Sequence, residues 1–399
     1  MLRFLTAGES HGQALVGILD GMPAGLRIDF DQIARELWRR QQGYGRGRRM
    51  SIENDRAEIL SGVRAGETIG GPISFTIANR DWPNWQQTMH VGPDAPAGAP
   101  SRAPVSRPRP GHADLAGALK FERDDIRDVL ERASARETAA RVAAGAIARQ
   151  LLGAAGVEVA SHVFAVGGVS LERPHDVTFD EARAVPDDAH LRCVDPAVER
   201  RMIDAIDRAR EQGDTLGGAF EVLARGVPPG LGSYTQWDRK LDGRLAQALM
   251  SIPAIKAVGI GLGPAASDRP GSRVHDEIVP GADTGSVPGL DRPTNNAGGL
   301  EGGVTNGQDL RVTGYMKPIS TLMKPLRSVD LRTMAPEAAA IERSDVCAVP
   351  AAAVVGEAMV CLTLAAALIE KFGGDSIVEL RAALDAARDR LRSRLTPPR

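Results

Sequence analysis

The sequence is poor in cysteine and in aromatic residues, and neither sign of charge is in excess. Three cysteines, Cys193, Cys347 and Cys361, stand far apart in 399 residues. Their odd number and wide spacing exclude a disulfide framework and a thiolate metal cluster, and they fit a chain working in the reducing cytoplasm. Only 4% of residues are aromatic, so a stacking platform for bases is not on offer. The 49 Lys+Arg against 51 Asp+Glu leave a net charge of −2, which removes any global attraction to nucleic acid or to an anionic membrane. Electrostatic specialisation must therefore be local. The longest apolar run, Ala358–Ile369, is twelve residues with Thr363 inside it; it is too short to cross a bilayer and reads as a buried helix. Met1–Thr6 runs directly into a glycine turn, without the charged-then-apolar plan of a signal peptide. Neither GxxxxGK[ST] nor a strand-borne GxGxxG occurs, so no P-loop or Rossmann site is expected.

What is present is glycine (44), proline (26) and aliphatic side chains, the composition of a turn-rich αβ protein. We expect one domain over residues 1–399. The pattern predicts a helix over Asp31–Gln42, ended by Gly43, and a strand over Ile73–Asn79. Residues 91–108, crowded with Pro and Ala, read as a mobile surface loop. Ser134 and Glu137 have the spacing of a capping box. The helix that follows carries a stripe of Ala139, Val142, Ala143, Ala146, Ile147 and Leu151, small enough for a close neighbour, and stops near Gly153. A turn string, Gly66–Gly71, precedes the Ile73 strand, and its echo, Gly213–Gly218, precedes a second strand-like run, as pseudo-symmetric halves would.

The polar residues repeat one theme. Arg35, Arg39, Arg40, Arg46, Arg48 and Arg49 fall close together with only Glu36 opposing them. Arginine forks suit phosphate and carboxylate, and the intervening glycines let backbone approach an anion; a solvated face or a basic loop touching nucleic acid would use the same residues. Ser10 and His11 sit on a glycine turn after a strand, and His112 has Asp114 two residues on to orient it. Arg132 and Arg136 flank a helix start, where anions collect. Asn295–Gly303, Lys317–Thr321 and Arg343–Asp345 add glycines, cations and hydroxyls. Together these describe a multi-anion pocket with two histidines and an aspartate for proton transfer, with no metal site. A flavoprotein oxidoreductase and a nucleic-acid-binding protein are the alternatives.

The strings RFLTAGESHG (3–12), GYGRGRRMSIENDRAEILSGVRAGET (43–68), RPGHADL (109–115), DVLERASARETAARVAAGAIA (128–148), NNAGGLEGGVTNG (295–307), MKPIST (316–321) and RSDVCAVPA (343–351) resemble, in order, the chorismate synthase family. The resemblance implies a β-α-β sandwich, a homotetramer and bound reduced FMN. It also implies a 1,4-anti elimination of phosphate from 5-enolpyruvylshikimate 3-phosphate with no net redox change. By position, His11 would protonate the reduced flavin, His112 would assist the departing phosphate, and Asp345 would accept the ring proton. Ser10, Arg40, Arg46, Arg49, Arg109 and Arg136 would bind substrate or nicotinamide dinucleotide phosphate. Arg132, Ala133, Ser134, Gln247, Ala248, Gly302, Lys317, Pro318, Ile319, Ser320, Thr321 and Arg343 would contact FMN. The motifs leave no segment for a nicotinamide-binding domain, so an external flavin reductant is expected. Gly259 stands where the family has glutamate, Pro264 where it has phenylalanine, and Thr313-Gly314-Tyr315 where small residues are common.

Overall fold

The computed structural model describes residues 1–47, 55–94, 101–282, 286–341 and 345–395. The chain opens with a hairpin, β1 (Arg3–Ala7) and β2 (Ala14–Asp20), followed by α1 (Phe30–Gln41), whose N-cap Asp29 accepts from the backbone of Asp31 and Gln32. Then come β3 (Glu58–Ile59), the hairpin β4 (Val63–Arg64) and β5 (Glu67–Thr68), and β6 (Ile73–Ala78). β1, β2, β6 and β3 form an antiparallel sheet in that order. Period-two alternation turns Leu15, Leu19, Ile73, Phe75 and Ile77 inward, each fully buried.

Helices α2 (Asp114–Phe121), α3 (Arg127–Leu130) and α4 (Thr138–Ala154) lead to β7 (Glu158–Val166) and β8 (Val169–Ser170). After α5 (Phe179–Ala184) and α6 (Pro196–Glu211) come β9 (Gly218–Arg225), α7 (Leu241–Met250) and β10 (Ile255–Ile260). Two hairpins, β11 (Val279–Pro280) with β12 (Leu290–Asp291) and β13 (Leu300–Glu301) with β14 (Val304–Thr305), precede β15 (Leu310–Met316). The chain then forms β16 (Arg327–Val329), β17 (Pro336–Ala338), α8 (Val349–Phe372) and α9 (Ile377–Leu395). The second sheet is antiparallel in the order β10-β15-β9-β7-β8.

Helix α4 packs on the first sheet through β2 and on α8 with its other side, while α8 packs on β7 and β9. The helices are thus the filling between two sheets, and one hydrophobic cluster runs through all three layers. This is the β-α-β sandwich that the resemblance implied. The two echoed turns each feed an interior strand, β6 in one sheet and β9 in the other.

Every residue of the predicted α4 stripe is buried, and the close neighbour is α8. A Cβ added at Gly145 would lie 2.4 Å from the Ala358 Cβ and 2.5 Å from its Cα. Helix propensity favours alanine over glycine by about 1 kcal/mol, but that Cβ can be housed only by separating two backbones. Overlap of this kind costs roughly 1–3 kcal/mol. Gly145→Ala should therefore lower the melting temperature, and a rise would show that the helices can part freely.

Three sequence expectations need correction. The buried helix α8 is twenty-four residues long, twice the apolar run, because Pro350 sits in its first turn and the buried Glu357 interrupts the apolar pattern without breaking the helix. Ser134 does cap, accepting from the Arg136 N–H, but it caps a short 3₁₀ turn (Ala135–Glu137) that precedes α4. Glu137 pairs with Arg141 at 2.9 Å instead of closing a capping box. The basic stretch is also not one patch among the described residues: Arg39 is buried against Glu36, Asp187 and Glu357, while Arg40 and Arg46 reach a cavity; Arg48 lies outside the described residues. Of the residues at 313–315, Gly314 has a packing reason. The Phe220 ring fills the space over Gly314 and Gly356, where an added Cβ would lie 2.6 Å from it.

Candidate active site

At one end of the helix layer, where β15 ends and α4 and α8 begin, the structure encloses a cavity of about 480 Å³, within the usual range for a ligand site. Its floor is small and apolar: Ala348, Ala351, Ala352 and Val355 from the start of α8, and Ile252–Ala254 from the turn between α7 and β10. Its rim carries Arg40, Arg46, Arg109, Arg136 and Lys317, with Ser10, Ser134, Ser320 and Thr321 among them.

Each charged group is held by a specific partner. Gly8 turns the chain after β1 at φ +100°, where a Cβ would lie 2.4 Å from the Ala14 carbonyl oxygen, so only glycine fits. That turn presents Ser10 and His11. The Ser10 hydroxyl donates to Glu131 Oε2 at 2.5 Å, the His11 backbone N–H donates to the same oxygen at 2.9 Å, and His11 Nδ1 lies 2.9 Å from Glu131 Oε1. The His11 ring stacks on Trp85 with centroids 3.8 Å apart, and the Arg102 guanidinium lies 3.9 Å from the same Trp85 centroid. Two planar groups that close cannot share one face, so Trp85 is sandwiched between them. Burial alone would raise the Glu131 carboxyl; hydrogen bonds from His11 and Ser10 outweigh it and hold the group below its ordinary value.

His112 follows the turn at Gly111. Its Nδ1 lies 2.5 Å from Asp114 Oδ1, and Asp114 also accepts from Arg109 Nε at 2.8 Å. Burial opposes ionisation of Asp114, but the His112 and Arg109 hydrogen bonds win and keep it well below the usual carboxylate range. Arg109 further donates to Thr321 at 3.1 Å, and Lys317 Nζ donates to the Gly111 carbonyl at 2.8 Å. Burial and the neighbouring Lys256 pull the Lys317 ammonium down from its ordinary value. Asp345, just before α8, accepts the Gly47 N–H at 2.7 Å and sits 3.2 Å from Arg46 Nε. Asp55, buried between two arginines, accepts from Arg136 at 2.6 Å and lies 3.7 Å from Arg40. Arg40 also donates to Thr138, and Arg136 to Asn79, both at 2.9 Å.

The structure thus brings Ser10, His11, Arg40, Arg46, Arg109, His112, Ala133, Ser134, Arg136, Lys317, Ile319, Ser320, Thr321 and Asp345 into the lining of one cavity. Arg132 turns away: its guanidinium clamps the end of β1, donating to the carbonyls of Thr6 and Gly8 and to the Thr6 hydroxyl. Gln247 and Ala248 lie on α7, a turn above the lining residues Ile252–Ala254. Gly302 is at the tip between β13 and β14, beside Tyr234, and Pro318 is exposed between the lining residues Lys317 and Ile319. Arg49 and Arg343 lie outside the described residues, as do residues 95–100 of the Pro/Ala-rich loop. Farther along that loop, Val105 donates to Asp125, and Pro108 accepts from Ser328. Glu131, Trp85 and Asp55 were not anticipated. Their partners are remote in sequence, and nothing local to each distinguishes it from a surface acid or a core ring.

Fold and site together describe an α+β protein whose cavity gathers arginines, a lysine and hydroxyls beside two histidines and an aspartate; among the described residues no cluster of acids, histidines or cysteines could hold a metal ion. The chorismate synthase family model matches residues 2–369. Chorismate synthases of Desulforudis audaxviator and Solibacter usitatus are 57% and 55% identical, covering 95% and 97% of this chain and 95% and 98% of their own. A chorismate synthase crystal structure superposes with a TM-score of 0.78 at 42% identity, covering 98% of both chains. The chain belongs to the chorismate synthase family. It is a carbon–oxygen lyase that converts 5-enolpyruvylshikimate 3-phosphate to chorismate and phosphate. One helix among the described residues, Val349–Phe372, is long and apolar enough to cross a membrane, but it is mostly buried inside the protein, so no span is implied.

Proposed function

We propose that the cavity holds reduced FMN and the substrate together, with His11, His112 and Asp345 as its proton-transfer groups. The observation that carries this is convergence: these three groups, far apart in sequence, line one cavity with four arginines. The cavity also suits the cofactor. Small side chains make a floor on which a flat ring can lie, and Ser134, Lys317, Ser320 and Thr321 offer donors for its phosphate and ring edge. Reduced FMN, when bound, supplies electron density to the breaking carbon–oxygen bond and takes it back, so the elimination leaves no net redox change.

The protein's own groups do the rest. Arg40, Arg46, Arg109 and Arg136 neutralise the substrate phosphate and two carboxylates. His112, oriented by Asp114, gives a proton to the departing phosphate. Asp345 accepts the proton leaving the ring carbon, and His11 holds a proton toward the reduced cofactor. The chain has no strand-borne GxGxxG, so the reducing equivalents come from a separate reductase in the cytoplasm. Leu5 and Ile18, paired on the outward face of the first sheet, are exposed at 64% and 40%, which supports assembly into a homotetramer.

Anaerobic turnover tests this directly. Dithionite-reduced FMN should support phosphate release, while oxidised FMN, alone or with NADPH, should not. Turnover without flavin would refute the cofactor, and turnover with NADPH and FMN alone would refute the external reductant.

A further inference from the structure

We propose that Glu131 is a positioning residue that sets which nitrogen of His11 carries the exchangeable proton. The inference rests on the reading of His11 as a proton-transfer group. Glu131 is buried, and its carboxyl is held ionised, so its oxygens only accept. An ionised acceptor 2.9 Å from His11 Nδ1 requires Nδ1 to bear hydrogen. The remaining ring nitrogen, Nε2, is then the one that takes or gives a proton in the cavity that His11 borders. The stack on Trp85 keeps the ring from rotating out of this arrangement. Glu131 is itself fixed, by Ser10, by the His11 backbone and by Arg127 at 3.7 Å.

The same geometry dictates what an isosteric change does. Oε2 already receives two hydrogens, from the Ser10 hydroxyl and the His11 backbone N–H. In Glu131→Gln the amide oxygen therefore takes the Oε2 position, still 2.9 Å from Nδ1, while the amide NH₂ takes the place of Oε1, also 2.9 Å from Nδ1. The NH₂ favours an accepting Nδ1 with the hydrogen on Nε2, and the Nδ1–H tautomer loses the ionised acceptor that fixed it. A charged imidazolium would set two donors against each other and is disfavoured. The variant keeps its shape but shifts the ring toward the wrong tautomer, a defect that costs up to about ten-thousandfold in the best-known histidine–carboxylate pair.

The test is ¹⁵N spectroscopy of histidine-labelled protein, with the His11 signals assigned by their loss in His11→Ala, alongside anaerobic single-turnover rates. Wild type should show the Nδ1–H tautomer for neutral His11, and that spectrum tests the claim even if the variant folds poorly. Glu131→Gln should show a shift toward Nε2–H, a rate per folded molecule lowered by about a hundredfold or more, and unchanged substrate affinity. An Nε2–H wild-type signal, or an unchanged tautomer in Glu131→Gln, would overturn the proposal. So would a switched tautomer at full rate while His11→Ala is slow. Full rate in both Glu131→Gln and His11→Ala would instead defeat the role of His11 itself, and the positioning role with it.

Discussion

Replacing His112 by alanine is expected to slow anaerobic single turnover by about a hundredfold to ten-thousandfold, the usual cost of losing a general acid. FMN affinity measured with substrate present should change little, because the cofactor's expected contacts lie on other elements. The argument rests on what surrounds the ring. Asp114 is ionised and 2.5 Å from Nδ1, so Nδ1 carries hydrogen and Nε2 is left to exchange a proton with the substrate. Asp114 also ties the ring to Arg109, which reaches Thr321, so acid and anion site are held as one unit. The same reasoning extends to His11→Ala and Asp345→Ala. A variant that retains near-normal rate loses its place among the proton-transfer groups, and one that loses FMN altogether has a binding role instead. Asp114→Asn should share most of the His112 defect and, because Asp114 also holds Arg109, weaken substrate affinity as well.

How much of this could be read before the structure differs between residues. His112 and Asp114 lie two apart on a glycine turn, so their pairing was legible. The α4 stripe was legible because alanine at helical spacing has few other uses. His11 and Glu131 are 120 residues apart, and a partner at that distance leaves no local pattern. The arginines near α1 show the limit most clearly. Arg39 and Arg40 are adjacent and chemically identical, yet successive positions on a helix point about 100° apart. One lies in the buried network and the other in the cavity, and the three acids that decide this, Glu36, Asp187 and Glu357, come from three regions of the chain. Glu357 was hidden for a related reason: a lone acid between apolar runs looks like the end of a helix until its three arginines are known.

Glu357 carries the largest expected effect on stability. Its carboxylate is fully buried in the middle of α8 and is met by Arg39 at 2.8 Å, by Arg149, by Arg192 at 3.5 Å and by the Ser161 hydroxyl at 2.5 Å. It therefore ties α1, α4, α8, β7 and the segment before α6 to one point, two residues along α8 from Val355 of the cavity lining. Removing one partner of such a network leaves charge buried without compensation, and Glu357→Gln is expected to cost about 3–5 kcal/mol. Burial would raise this carboxyl, but the arginines outweigh it and hold it far below its ordinary value of 4.5. Between that value and the depressed one, the unfolded chain binds a proton that the folded chain does not. The contribution is then fully present above about pH 4.5 and lost as pH falls toward the folded-state value. Urea midpoints measured from pH 7 to pH 3 should drop steeply for wild type and less steeply for Glu357→Gln, which begins lower. Parallel curves would show that the network does not carry the acid sensitivity. Because the clamp binds α1, α4 and α8 behind the cavity, the variant's activity loss should follow its unfolding, with normal rate per folded molecule. A slow but fully folded Glu357→Gln would mean that the network also sets the angle at which Arg40 enters the site.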